Sequence, residues 1–584
     1  MSMKKKYLIF WAGMILIGLF FVWIRMPMLT IENSLKGWNS DYAIFVMMGE
    51  DIWNGVDFPF FYWGGNYLGP LNGFFMGATQ RVMEVFGYAQ STSVDPNVTF
   101  SIGPLAASIT CLWMFLAGTL FYGLAFLRLF TVWETLLACL ALSVGGESFI
   151  RFSLRPLAPE VAYFLAGIIT WKGITLIQNP NKKNQFLFGF IFGFCWWMNQ
   201  MTIFALAPIF YFFISQSEYY KSLRLNFQFK ERLFLNMKAL DLPPLNRALK
   251  AFLLFAYSLV GLNFILGAYI AIIGGINERP FGIKLKIHNG FSPMKTSLLI
   301  FLGTQFFIWF FKNIDSKKVL KNIASTLRYF LSGVFLGYGP VLLGKVLGLY
   351  EKGYKPAFKF VPLEHIPTYW KNLAVDFFPR LLGEPTWYFS LPLFAVLILT
   401  CIIHTRKNSD SFKNYFFAKP VAPSIHSVLW GVVLFNLFYL LFCERVRENY
   451  NDRTAFRYAL LSLPIIAIYI TTLVRRIPFK KLGITLTIIA FVSLSFGQYV
   501  QGQNYLIKME LQSTHSDELE QIMSSPCEIF FNGYWETYLY EYLLQHQKRF
   551  AVIESQSGQD RTRNHTQLMK NSDKKKCEGL KPIN

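Results

Sequence analysis

An aspartate set just before an apolar run is the first residue placed to do chemistry. In "WNSDYAIFVMMGEDIWNGVDFPFFYWGGNYLGPLNG", Trp38 to Gly73, Asp41 precedes a helical pattern and is followed by aromatics and glycines. A carboxylate there either caps the helix or takes a proton from a bound nucleophile. A second carboxylate, Glu160, follows Pro159 at the start of an apolar stretch in "ESFIRFSLRPLAPE". The dipole of the helix it opens favours a negative charge at that place. An ionisable group at the end of a membrane span, facing a cavity, is equally a mark of function. Arg155, just upstream, is placed to pair with Glu160 or to bind an anion. A third stretch, "CERVRENYNDRTAFRYALLSLP", carries Arg445, Arg447, Arg453 and Arg457 ahead of another apolar run. Interfacial anchoring accounts for part of that cluster. Guanidinium forks also suit phosphate, so an anionic partner is the sharper reading.

The elements that must hold these residues are membrane spans. Of 584 residues, 53% are hydrophobic, 18% aromatic and only 15% charged. Soluble domains carry about 25% charged residues, so the balance describes an α-helical polytopic membrane protein. Windows of roughly 20 apolar residues recur along the chain. About thirteen spans are expected, centred at 7–24, 101–126, 131–150, 158–177, 185–200, 202–215, 251–274, 296–311, 329–348, 388–404, 427–443, 455–474 and 482–499. The pair at 185–200 and 202–215 also fits one broken helix. Lys4, Lys5 and Lys6 precede the first span without a small-residue cleavage site after it, which describes an uncleaved first span.

Charge then orients the chain. The net charge of +22 sits mostly in short hinges such as "NPNKKN" and "RRIPFKK", which is membrane orientation rather than nucleic-acid binding. With the N-terminus cytoplasmic, residues 25–100, 350–387 and everything after about residue 500 share the outer face, joined by short loops at 151–157, 275–295 and 444–454. The domain reading is 1–499 as a transmembrane domain with a structured first outer loop at 25–100, and 500–584 as a small extracytoplasmic α/β domain with a disordered tail. Within the first loop a helix should run to Asn54 and end at Gly55. A second should start near Tyr67, with Gly69, Gly73 and Gly77 forming a smooth packing face. Both helices are expected to lie on the outer membrane surface. The third outer loop adds Lys352, Lys355, His365 and Lys371.

Several chemistries are missing. There is no Walker loop, dinucleotide fingerprint, HExxH or paired CxxC. Seven cysteines show no metal-ligand spacing; Cys527 and Cys577 could pair if the C-terminal region is extracytoplasmic. No motif requires a cofactor, and a divalent ion shared by Asp41 and Glu160 is left open.

Three stretches resemble the GT-C superfamily of membrane glycosyltransferases, and within it the branch of protein O-mannosyltransferases and lipid A aminoarabinose transferases. They are "SDYAIFVMMGEDIWNGVDFPFFYWGGNYLGPLNG", "LRPLAPE" feeding a span with "GFIFGFCWWMN" after the next hinge, and "FRYALLSLP". The oligosaccharyltransferase motif "WWDYG" is absent, and "GYWETY" substitutes for it poorly. The resemblance implies transfer of a sugar from a polyprenyl-phosphate carrier to a protein, lipid or glycan acceptor in the cell envelope. It places that transfer on the outer face of a bacterial inner membrane, with the C-terminus periplasmic. It carries the role of catalytic base or key site carboxylate to Asp41, with Glu160 as the second carboxylate because Tyr42 stands where relatives have one. Arg155, Arg445, Arg453 and Arg457 become the donor-phosphate clamp, and Tyr62, Trp63 and Tyr67 the sugar and lipid path. Relatives also often carry an acid at the place of Asn72. A transporter or flippase of lipid-linked sugars would share the many spans and lack a nucleotide site, but it often shows internal repeats, and none is evident. A non-catalytic protein of the same fold is the other alternative.

Overall fold

The computed structural model describes residues 3–30, 40–56, 58–61, 68–88, 91–92, 99–100, 102–144, 152–156, 158–215, 276–278, 285–287, 316–346, 360–377, 425–448, 457–475, 529–532, 549–552 and 576–578, with a few isolated positions between them. The expected spans at 251–274, 296–311, 388–404 and 482–499 lie outside these residues, as do Tyr62, Trp63, Tyr67, Arg453, Lys352, Lys355 and Cys527. The side chains of Asp41, Arg445 and Cys577 also lie outside the description, although their backbone belongs to described elements.

The helices are α1 (Met3–Arg25), α2 (Ser40–Trp53), α3 (Leu71–Val85), α4 (Gly103–Phe126), α5 (Val132–Val144), α6 (Pro159–Gln178), α7 (Lys182–Met198), α8 (Ile203–Ser215), α9 (Ser316–Val346), α10 (Ile366–Asn372), α11 (Ile425–Phe442), α12 (Glu444–Glu448) and α13 (Leu463–Arg475). Segments Lys4–Met28, Gly103–Phe126, Pro159–Gln178 and Leu327–Gly344 are long and apolar enough to cross a membrane. Shorter apolar helices cover Val132–Val144, Gln200–Tyr211, Val428–Phe442 and Leu463–Thr472.

The chain divides into two compact units, Met1–Ser215 with Tyr329–Asn584, and Gln216–Arg328. In the second unit the strands Ile276–Glu278 and Leu285–Ile287 pair antiparallel. In the first, strands Ile529–Asn532, Arg549–Val552 and Lys576–Glu578 form a parallel sheet with the 529–532 strand in the centre.

Within the first unit, contacts sort the helix ends into two groups. At one end, Lys6 Nζ donates to the Leu127 carbonyl and, at 3.4 Å, to Phe130 O. A cation over the carbonyl end of α4 is favoured by the helix dipole. Thr471 Oγ1 of α13 donates to Glu134 O at 3.3 Å at the same end. At the opposite end, Arg25 Nε donates to Ser153 Oγ at 2.7 Å, while its Nη1 donates to Ser143 O at 3.1 Å and Phe21 O at 3.2 Å. This guanidinium is fully buried. It caps the carbonyl ends of α1 and α5 together, so two helix dipoles offset the cost of burying its charge.

The Arg25 end gathers the loops that the alternation of spans assigns to one face. Phe60 O of the first loop accepts from Trp197 Nε1 at 2.8 Å, and its ring touches Gly344 at the close of α9. Segment 360–373 docks on the end of α11, where Val361 N–H donates to Phe442 O at 2.9 Å and Trp370 Nε1 to Leu441 O at 3.0 Å. Helices α7 and α9 run side by side through a glycine contact. A Cβ on Gly189 would stand 2.0 Å from Phe330 O, and one on Gly333 2.1 Å from Phe186 O. Only glycine allows backbones so close.

As the reading of separate spans at 185–200 and 202–215 has it, α7 and α8 are two helices, folded back on each other with the Phe192 and Phe210 rings 5.8 Å apart. Two expectations change. First, the span expected at 455–474 is an α-helix only from Leu463, and residues 458–462 are buried ahead of it. Second, α2 does not lie on a surface: every residue from Tyr42 to Met48 is at most 3% exposed. "YAIFVMM" is apolar around the whole helix rather than on one stripe, so the helix is swallowed by its neighbours.

Candidate functional site

Helices α2 and α3 run parallel in close contact. A Cβ on Gly49 would meet Gly73 O at 2.6 Å and Gly77 N at 2.8 Å, and Gly73 lies against Phe45 O. The smooth face of Gly73 and Gly77 is thus used as expected, against α2. Gly69 is not on it, because α3 starts after Pro70; the Gly69 N–H instead donates to Met198 O at 2.9 Å. As expected, α2 ends with Gly55 left-handed at φ +69°. Because the two helices are parallel, their N-termini share one end. Asp41 lies in the first turn of α2 and Asn72 in the first turn of α3.

The start of α6 joins them there. Tyr42, Ala107, Cys111 and Ala158 belong to one buried apolar cluster, with Leu68 packed on it. Glu160 is fully buried. Its Oε1 accepts from the Ala158 N–H at 3.1 Å and from Asn72 Nδ2 in a short hydrogen bond. Ala158 is the only non-glycine residue with positive φ among the described residues, at +73°. For an alanine that conformation costs about 1–2 kcal/mol, and it aims the N–H at the carboxylate. The Ala158 carbonyl is held in turn by Asn199 Nδ2 at 3.0 Å, and Asn199 Oδ1 accepts from Met201 N–H at 2.9 Å. Asn199 also bridges the backbone of Leu68. One carboxylate is therefore gripped by the first loop, the start of α6 and the α7–α8 turn.

The electrostatics follow from the helix directions. The N-termini of α2, α3 and α6 meet here, each carrying roughly half a positive charge. Arg155 is buried, and its Nη1 donates to the Ser34 carbonyl.

The late arginines are arranged differently. Arg445 lies on α12, and Arg447 is ion-paired with Glu444 one turn away, its Nε to Oε2 distance being 3.0 Å. Arg447 is thereby partly neutralised as an anion clamp. Arg457 stands in the non-helical turn ahead of α13, with Nη2 3.1 Å from the Tyr458 hydroxyl and a buried Nε that has no partner among the described residues. The turn is clamped by Asn436 of α11, which donates to Tyr458 O and accepts from Ser462 Oγ at 2.9 Å. Non-helical backbone at membrane depth persists only where protein or a cavity satisfies it. No contact among the described residues joins Arg457 to Glu160. His365 pairs with Glu364 at 3.6 Å in the third loop, away from both. Among the described residues no three of His, Cys, Asp and Glu gather closely enough to hold a metal ion.

Ala158 and Asn199 lie inside "LRPLAPE" and "GFIFGFCWWMN" without being singled out there, Asn436 lies in none of the quoted stretches, and Asn72 stood out only as a departure from an acid. Two had a usable signal: Asn436 is a lone amide inside "WGVVLFNLFYLLF", and Asn199 breaks "WWMNQMTIF". A polar residue inside a membrane span needs a partner, and here each amide secures a turn.

No protein-family model matches the chain, and no curated protein matches it. Among solved structures it is similar to the Archaeoglobus fulgidus oligosaccharyltransferase in the apo form, with 12% identity and a TM-score of 0.44 over 96% of this chain and 66% of that one. It is likewise similar to the same enzyme tethered through a disulfide to an acceptor peptide containing the NVT sequon, at 12% identity and TM-score 0.44 over 94% and 64%. The chain thus spans a little under two thirds of the length of those structures. A TM-score of 0.44 is too low to carry a shared fold or function to this chain.

Proposed function

We propose that this chain is an integral membrane glycosyltransferase that moves a sugar from a polyprenyl-phosphate carrier to an acceptor on the outer face of the membrane. The observation that carries the reading is the buried Glu160 carboxylate, held where the first loop and the start of α6 meet. A loop that only joined two spans would not be folded into the bundle around an acid.

The chemistry needs three things: an acceptor hydroxyl or amine in line with the sugar carbon, removal of its proton, and neutralisation of the departing phosphate. Asp41 takes the proton in this reading, from the first turn of α2. Glu160 is the second carboxylate. Arg155 lies just upstream of it, while Arg457, Arg445 and Arg453 answer the phosphate charge from the α11–α13 side. Tyr62, Trp63 and Tyr67 line the path of the sugar and lipid. A divalent ion would use the oxygens of Asp41 and Glu160, a hard donor set suited to magnesium or manganese.

The test is transfer from radiolabelled polyprenyl-phosphate sugars by the purified chain in lipid, with Asp41→Asn as control. Wild-type transfer should vanish in Asp41→Asn at unchanged membrane abundance. Full activity in that variant would remove Asp41 from the base role.

A further inference from the structure

From the Asn72 amide we infer a binding position for a single hydroxyl group of a sugar, resting on the donor reading above. Asn72 is 2% exposed, and its Nδ2 donates to Glu160 Oε1. An ionised carboxylate only accepts hydrogen bonds, so the amide must turn its nitrogen to Glu160 and its oxygen away. That oxygen, Oδ1, is buried and has no donor among the described residues. A buried acceptor left unmet costs about 1–3 kcal/mol. Its place is the junction where the α2, α3 and α6 N-termini meet.

The surroundings select the kind of donor. An ammonium is repelled by the three positive helix ends. A phosphate carries no proton to offer at neutral pH and meets the Glu160 carboxylate as a like charge. A neutral hydroxyl suffers neither penalty and supplies the hydrogen that Oδ1 lacks. Asn72 is therefore a specificity residue for the transferred sugar, with Glu160 fixing the amide's orientation. An acid in its place would present a second negative charge to Glu160; the amide presents an oriented acceptor.

The test is equilibrium binding to the full chain in lipid nanodiscs, with EDTA present so that no metal carries the effect. The probes are undecaprenyl phosphate alone and undecaprenyl phosphate bearing glucose, mannose, galactose or N-acetylglucosamine. At least one sugar should tighten binding over the bare carrier. Asn72→Ala should weaken that form by about tenfold, the loss of one buried hydrogen bond, while binding the bare carrier as wild type does. One monodeoxy version of the same sugar should lose as much on wild type and nothing further on Asn72→Ala. Bare-carrier binding reports folding; if Asn72→Ala fails it, Asn72→Ser is expected to show the same sugar-specific loss. The inference falls if the sugar increment survives in the variant, if no deoxy position couples to Asn72, or if no sugar tightens wild-type binding while the bare carrier still binds. In the last case Oδ1 serves a resident water only, and the donor reading stands. Failure of every carrier to bind wild type, both in EDTA and with magnesium in its place, refutes the donor reading itself, and the hydroxyl position with it.

Discussion

Replacing Gly49 by alanine should push the two first-loop helices apart and shift Asn72 off Glu160. A Cβ at Gly49 would lie 2.6 Å from Gly73 O, whereas ordinary contact begins at 3.4 Å; the difference, 3.4 − 2.6, asks for a displacement of about 0.8 Å. A second clash, 2.8 Å to Gly77 N, is also with backbone, so no side chain can rotate out of the way. Overpacking of this kind costs about 1–3 kcal/mol. Two glycines serve as controls for the same chemical change. Gly55 meets nothing within 4 Å but has φ +69°, so alanine there should cost about 1 kcal/mol from the backbone alone. Gly339, inside α9, also meets nothing within 4 Å but precedes Pro340, whose ring disfavours a helical residue with a Cβ before it, so alanine should be neutral or cost up to about 1 kcal/mol. Reversible unfolding in detergent measures all three, and hydrogen exchange over 42–49 and 71–85 shows whether the loss is local. Stability of Gly49→Ala within about 0.5 kcal/mol of wild type, the scatter of a neutral surface change, would refute the packing argument.

Three further outcomes are expected. Arg25→Ala should lose about 2–3 kcal/mol, since charged hydrogen bonds to Phe21 O, Ser143 O and Ser153 vanish; Arg25→Lys should recover only part, because one ammonium cannot reproduce the planar fork, and full recovery in an unfolding titration would contradict the double-cap reading. Ala158→Gly should stabilise by about 0.5–1 kcal/mol by relieving the left-handed backbone, whereas Ala158→Val should destabilise, so a stabilising valine would show the strain is not there. Tyr369, outside the spans, is buried against α11 and donates to the Leu440 carbonyl; burial, with Cys443 and Glu444 nearby, pushes its phenol up from the usual tyrosine value. The folded state thus holds that proton more tightly than the unfolded chain. Its contribution is full below the ordinary tyrosine pKa of 10.0 and is lost as pH rises through the raised folded value. The protection of 361–373 from hydrogen exchange, taken relative to the intrinsic base-catalysed rate, should stay flat from pH 7 to about 9 and fall above about 10, a fall that Tyr369→Phe should abolish.

What the sequence alone determined are features encoded by neighbours in the chain. Apolar runs of span length become helices because a membrane leaves the backbone no other way to satisfy itself, and α1, α4 and α6 sit almost where hydropathy puts them. Gly55 closes α2 because a left-handed residue is cheapest as glycine. The alternation of spans also anticipates that residues 58–61, 152–160 and 360–373 gather at one end. The tertiary structure decided the rest. Asn72 and Glu160 are 88 residues apart, Arg25 and Ser153 128 apart, and Asn436 and Tyr458 are joined only by the antiparallel packing of α11 on the turn before α13. No local pattern encodes such pairs, because each depends on which helix faces meet. The same holds for α2, whose all-round apolar sequence calls for burial on every side without saying which helices supply it. Parallel docking on the α3 glycines made it part of the core, and so set Asp41 and Asn72 at one end, beside Glu160.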